Sequence, residues 1–384
     1  MADGDRLIPL FDVRLADHEV EAVAETLRSG WLTMGPRIKE LEELFAERLG
    51  VKHAIATSSC TSSLHLAYLG AGVGPGDEVI VPAITFVASA AAVRYCGGTP
   101  VLADIKGPHD LGIDPDDVES RITDAIKAVC AVHYAGYDAD LTALRALCER
   151  RGLALIEDSA HNPIAPVRSL ASCYSFFSNK VLSCGEGGLL ATDDDALADQ
   201  ARSLRSHAMT TGTWDRHRGH AAGYDVVGLG YNYRMDEPRA ALLIARLAGL
   251  DDDIASRRAL VRRYREQLAG LDGVTVPYRD DEVEQSSCYV MPVIVEDPDA
   301  RDAVRQHMRD EHRVQTSILY PAIHEFTAYA PDSRGALPRS ELAARTELTL
   351  PLFPHLSHED QDRAVGALHE GIQQFASTPA ATAG

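Results

Sequence analysis

Between Ala54 and about Thr192, short apolar, β-branched runs alternate with longer amphipathic segments, and this alternation constrains the fold more than any other feature of the chain. It is the pattern of strand, helix, strand units in a parallel sheet, where each run is buried and the helix between two runs covers a face. The clearest runs are EVIVP (Glu78 to Pro82), TPVLAD (Thr99 to Asp104), IKAVCAV (Ile126 to Val132) and LALIED (Leu153 to Asp158). Leu141 to Arg151 reads as a helix between two of them, with apolar positions at Leu141, Leu144, Leu147 and Cys148. The class is therefore α/β. Ligands of such sheets bind beyond the carboxyl ends of the strands, and Asp158 stands at such an end.

With 384 residues the chain is long enough for two domains. A long helix is expected from about Glu237 to Leu271, interrupted near Asp251 to Asp253, as a bridge from a large domain (1–250) to a smaller α/β domain (251–384). The smaller domain is read from the apolar run Cys288 to Val295, a helix near Asp299 to Glu311, the run Val314 to Leu319 and a last helix from about His358 to Phe375. The small, polar tail TPAATAG is expected to fray.

The formal net charge of -20 and the lack of a Lys/Arg-rich run with interleaved aromatics argue against a nucleic-acid partner. Seven scattered cysteines without CxxC spacing fit a reduced, cytoplasmic compartment, and neither a signal peptide nor a membrane-spanning run is evident. His217 and His220, in the polar stretch Thr210 to Val226, have no evident third ligand, so no metal is expected.

The most informative segment is CYSFFSNKVLSCGEGGLLATDD, Cys173 to Asp194. It reads as a strand end, a polar turn carrying Lys180, a glycine-rich stretch and a returning strand. A lysine between apolar strands needs a partner or a lowered pKa, and a Schiff base to an aldehyde cofactor supplies one; a surface lysine on a hairpin fits the pattern equally well. Asp158, in IEDSAH, suits either a helix cap or the carboxylate that keeps a pyridine nitrogen protonated. Ser58, Ser59, Thr61, Ser62 and Ser63 precede an apolar helical pattern, as either an N-cap or a phosphate cup, and Ser175 adds a hydroxyl near the lysine. Phe86 lies near a strand end, where an aromatic ring either stacks on a cofactor or fills the core.

Taken in order, SGWLTMGP (Ser29 to Pro36), GVGPGDEVIVPAITFVA, IEDSAH, SFFSNK followed by GEGG, YNYRMDE and YPAIHEF resemble the DegT/DnrJ/EryC1/StrS sugar aminotransferases over nearly the whole chain. The resemblance implies a fold type I enzyme that binds pyridoxal 5'-phosphate (PLP). It implies Lys180 as the Schiff-base lysine, Asp158 at the pyridine nitrogen, Phe86 stacked on the ring and His161 at the ring hydroxyl. The phosphate falls to Cys60, Thr61, Ser62 and Ser175, completed by Asn232 of a neighbouring subunit, so that a homodimer shares its active sites. Two departures stand out: Cys60 occupies a position more often glycine, where a side chain would crowd the phosphate, and the segment between His161 and Ser175 is shorter than in many relatives.

By the same resemblance the amino donor is glutamate or glutamine, and the acceptor is a nucleotide-linked 4-keto-6-deoxyhexose, with a 3-keto sugar or a keto-cyclitol as runners-up. Tyr320, His324 and His207 are candidates to line the acceptor pocket. Arg234 either orients Asn232 or meets a donor carboxylate. Competing readings are a PLP-dependent sugar dehydrase, which carries histidine where Lys180 stands, and a non-catalytic PLP-binding regulator or scaffold.

Overall fold

The computed structural model describes residues 6–212, 214, 219, 223–330 and 334–376. Its core is a seven-stranded sheet made of β1 (His53–Thr57), β2 (Glu78–Pro82), β3 (Thr99–Ala103), β6 (Ile126–Val132), β7 (Ala154–Asp158), β8 (Ala171–Ser175) and β9 (Gly188–Thr192), in the order β1-β9-β8-β7-β6-β2-β3. Every pairing from β8 to β3 is parallel, and β9 runs antiparallel to both β8 and β1. β9 is therefore the one reversed strand of this sheet. The expected runs form its strands, and β2, apolar along most of its length, is buried throughout. The helix Leu141–Arg151 begins at an Asp140 cap and stops at left-handed Gly152.

Between β3 and β6 the chain adds a hairpin of β4 (Ile105–Gly107) and β5 (Asp110–Ile113), too short to leave a periodic signal in IKGPHDLGI. A three-stranded antiparallel sheet of β10 (Val274–Thr275), β11 (Met291–Val295) and β12 (Glu347–Leu350) forms a second centre, against which the helix Arg301–Asp310 packs, with His358–Phe375 in turn packed on that helix.

The helical bridge breaks earlier than Asp251. One helix runs Glu237–Leu247 and the next Leu250–Leu268, with the joint at Ala248 and Gly249. Asp251, Asp252 and Asp253 fall in the first turn of the second helix, where the positive end of its dipole favours acidic side chains, so they begin a helix rather than interrupt one. The run Val314 to Leu319 is not a strand either. It lies along the outer edge of β12 and touches its neighbours through isolated bridges, Val314 with Ile8 and Ser317 with Thr349.

All seven cysteines are buried and none is paired in a disulfide. Among the described residues, no helix is long and apolar enough to cross a membrane.

Candidate active site

Because β1, β2, β6, β7 and β8 point the same way, their carboxyl ends open onto one edge of the sheet, and a cavity of about 420 Å³ lies there. It gathers Cys60 and Thr61 from beyond β1, Phe86 from beyond β2, Asp158 and His161 from β7 and its exit, Ser175 at the end of β8, and Lys180 in the turn from β8 to β9. The opposite wall comes from the second centre and its approaches: Tyr289, the strap Ser317 to Tyr320, and Thr349 of β12.

Asp158 is buried at the end of β7. Its Oδ2 accepts the Ser89 hydroxyl at 2.8 Å and its Oδ1 accepts the Ala160 N–H at 3.1 Å. Burial pushes the carboxyl above its usual range, opposed by those two hydrogen bonds and by Lys180. Lys180 is partly buried, and among the described residues its amine makes no hydrogen bond or ion pair; Nζ rests 4.2 Å from the centre of the Tyr289 ring. Burial lowers its pKa to about 8, against the pull of Asp158. About a tenth of the amine is thus neutral and nucleophilic at pH 7, far more than for an ordinary lysine.

His161 is buried with both nitrogens engaged. Nδ1 accepts the Ala135 N–H at 3.1 Å, which leaves the ring proton on Nε2, 2.9 Å from the Tyr320 hydroxyl. Burial, reinforced by the nearby Lys180 and His133, holds its pKa well below the usual value, so the imidazole is neutral. Its ring stacks on Tyr289 at 4.5 Å and lies nearly parallel to Tyr320 at 5.8 Å, while Tyr320 meets Phe86 at 5.9 Å.

The cup is the start of the helix Cys60–Gly70, capped by Ser59, whose hydroxyl accepts the Ser62 N–H at 3.1 Å. The cavity-facing residues Ser59, Cys60 and Thr61 stand where the helix dipole and free backbone N–H groups favour an anion. The Cys60 side chain does not crowd the cup. Its thiol is buried, pointing at the Cys173 carbonyl at 3.4 Å and lying 3.8 Å from Asp158 Oδ1.

Seven of the residues singled out from sequence lie off this cavity, Ser58 and Ser63 among them. Ser62 turns its hydroxyl onto Ser58 and Ser59, at 3.0 and 2.9 Å. Asn232 is exposed, between Tyr231 and Tyr233, whose carbonyl accepts the Ser58 N–H. His207 is exposed with φ 62, and His324 packs against Glu341 at 3.3 Å. Arg234 lines a separate cavity with Lys39 and Trp214. His217 and His220 lie outside the described residues. Ser89 and Tyr289 escaped the sequence reading, because each meets the site only across a long stretch of chain. Asn179 had a signal, its place beside Lys180.

A strand-end carboxylate, a depressed lysine amine and an anion cup around one cavity are the parts that pyridoxal phosphate requires. The residues present fit it: a buried carboxylate that a ring N–H would neutralise, an amine without another partner, and a helix N-terminus with room beside it. Fold and site define a fold type I, PLP-dependent aminotransferase. The sequence matches the DegT/DnrJ/EryC1/StrS aminotransferase family over residues 13–369, and the chain belongs to that family. It is 34% identical over 375 residues to the spore coat polysaccharide biosynthesis protein SpsC of Bacillus subtilis, spanning 94% of this chain and 95% of that protein. It superposes on the aminotransferase TlmJ of Streptoalloteichus hindustanus with TM-score 0.89 and 34% identity, over 97% of this chain and all of the other (100%). NtdA of Bacillus subtilis, solved with bound cofactor PMP, superposes with TM-score 0.85 and 28% identity, over 97% of this chain and 87% of NtdA.

Proposed function

We propose that this aminotransferase moves an amino group from glutamate or glutamine to a keto sugar, in the first instance a nucleotide-linked 4-keto-6-deoxyhexose. The observation that carries the reading is Lys180, an amine of lowered pKa at the Asp158 cavity, resting over the Tyr289 ring with no hydrogen-bond partner among the described residues. Bound PLP supplies an aldehyde that links to an amine and a ring that draws electrons from the adjoining carbon. In this reading Asp158 keeps the ring nitrogen protonated, and burial away from water strengthens that interaction. His161, neutral and held by Ala135 and Tyr320, lies beside the ring hydroxyl, with its one Nε2 proton shared between that oxygen and Tyr320. Ser59 to Thr61 and Ser175 bind the phosphate. Phe86 packs against the ring face.

Lys180 Nζ, once free, moves the proton from the donor's α-carbon and later returns one to the former carbonyl carbon of the sugar. The donor leaves as its keto acid, taking its new carbonyl oxygen from a water molecule, and the sugar's carbonyl oxygen later leaves as water, so no net water is used.

Asn232 enters the scheme from a second copy of the chain. Its exposure beside the segment that holds Ser58 supports a homodimer in which each subunit completes the other's phosphate cup. The large domain, 1–250, then carries the cofactor residues, and the small domain, 251–384, contributes Tyr289, the strap and Thr349 to the cavity wall.

Mass-detected screening of the purified protein with PLP and glutamate or glutamine, against nucleotide-linked keto sugars and keto-cyclitols, tests the assignment. Amination of the 4-keto-6-deoxyhexose is expected. Turnover confined to keto-cyclitols, or to sugars ketonic at carbon 3, would replace the substrate assignment, and no amination of any would remove it.

A further inference from the structure

The strap Ser317 to Tyr320 has an acidic anchor. Glu347, the first residue of β12, is only 3% exposed. Its Oε2 accepts the Leu319 N–H at 2.7 Å and its Oε1 accepts the Thr349 hydroxyl at 2.6 Å. Ser317 and Thr349 exchange backbone hydrogen bonds at 2.8 and 3.2 Å, so the strap is tied to β12 at two neighbouring points. The next residue after Leu319 is Tyr320, whose hydroxyl meets His161 Nε2 at 2.9 Å. A strand position buried to this degree ordinarily takes an apolar residue, because burying a carboxylate costs several kcal/mol unless its oxygens are satisfied. Here both oxygens are satisfied, and one of them by the strap.

We propose that Glu347 is a positioning residue: its ionised carboxylate, through the Leu319 N–H, holds the Tyr320 hydroxyl against His161 and so shapes the acceptor side of the cavity. The inference rests on the aminotransferase reading of that cavity. The groups facing Glu347 are Thr349 on its own strand, Arg301 from the helix Arg301–Asp310, and the phenols of Tyr134 and Tyr320. Arg301 spends its Nη1 on the carbonyls of Ala344 and Glu347 rather than on the carboxylate. Burial accordingly raises the Glu347 pKa to about 7, although Thr349 and Leu319 hold it down. As pH falls through that value the carboxylate takes a proton, becomes a poorer acceptor for the Leu319 N–H, and releases the strap. The effect is present below about pH 7 and absent well above it.

The test measures pH profiles of both half-reactions on PLP-loaded wild type, Glu347→Gln, Thr349→Ala, Tyr320→Phe and the double variant of the first and last. In wild type, kcat/KM for the keto acceptor falls on the acid side near pH 7. In Glu347→Gln it is about tenfold lower with that acid limb absent, as a misplaced wall requires. Thr349→Ala removes a hydrogen bond from the ionised form and moves the limb up by roughly one pH unit. Glu347→Gln adds no further loss in the Tyr320→Phe background.

A wild-type acid limb retained in Glu347→Gln, or full additivity with Tyr320→Phe, overturns the proposal. Should Glu347→Gln fail to fold, an unmoved limb in Thr349→Ala overturns it. The visible absorbance of bound PLP and the glutamate half-reaction separate the two levels. If both persist in Glu347→Gln while the limb is unchanged, the positioning role alone falls; if wild type takes up no PLP, the reading of the cavity falls with it.

Discussion

Gly188 lies flat against the Ser59–Cys60 peptide, so close that a Cβ at position 188 would collide with the Ser59 carbonyl and the Cys60 nitrogen. It also pairs with Thr57 on one side and Ser175 on the other, which sets the cup, the end of β8 and the lysine turn in one register. Gly188→Ala must therefore displace the cup backbone. We expect a cost of about 1–3 kcal/mol in stability and a loss of at least about tenfold in PLP affinity. Titration of the apo-protein with PLP alongside thermal melts checks this, and an unchanged affinity would show that the contact does not set the cup.

Asp158→Asn keeps the shape of the side chain and one oxygen to accept the Ala160 N–H, while the Ser89 hydroxyl must turn to accept from the new amide, and the charge is removed. Folding should survive, with circular dichroism close to wild type. The glutamate half-reaction, followed by cofactor absorbance, should slow by about 10²- to 10³-fold, the size of effect seen when one preorganised electrostatic contact is lost. Near-normal turnover would contradict the ring-nitrogen role.

Lys180 gives a pH prediction for the protein before it meets its cofactor. Its folded pKa is lowered to about 8, and only the neutral amine attacks an aldehyde. The rate at which apo-protein takes up PLP covalently should rise with pH and level off above about pH 8, rather than above the ordinary lysine value. Lys180→Ala should show no covalent uptake. A rate still climbing at pH 10 would mean that burial does not lower this amine as stated.

Asn232→Ala should retain PLP more weakly without changing the fold. At PLP concentrations too low to fill the Asn232→Ala site, neither it nor Lys180→Ala should be active alone, yet mixed dimers formed by subunit exchange should regain up to about a quarter of wild-type activity, since one of two sites in half the dimers is intact. No recovery under conditions where exchange is demonstrated would remove the shared site.

The central sheet was legible because β2, β6 and the helix Leu141–Arg151 carry their periodicity in unbroken local runs. Lys180 and Asp158 were legible for a related reason: a strand end and the turn after a strand are marked by where the apolar run stops. The His161–Tyr320 contact was not, since its partners are 159 residues apart and each is an ordinary polar aromatic by itself. Glu347 was hidden inside a strand whose four residues, ELTL, are too few to show alternation. Cys60 raised concern because sequence gives a side chain's size but not its direction, and here the thiol turns away between Asp158 and Cys173. The break at Gly249 was misplaced because three successive aspartates suggest a loop until the helix dipole is considered.

The two faces of the cavity are drawn from stretches of chain that meet only after folding, the strand ends on one side and the strap with Thr349 on the other. Within the second face the strap is a run of four consecutive residues, so a few neighbouring codons alter it while the anchoring lysine and its aspartate stay as they are. Grafting residues 317–320 between relatives therefore changes one wall of the cavity without touching the lysine and the aspartate opposite.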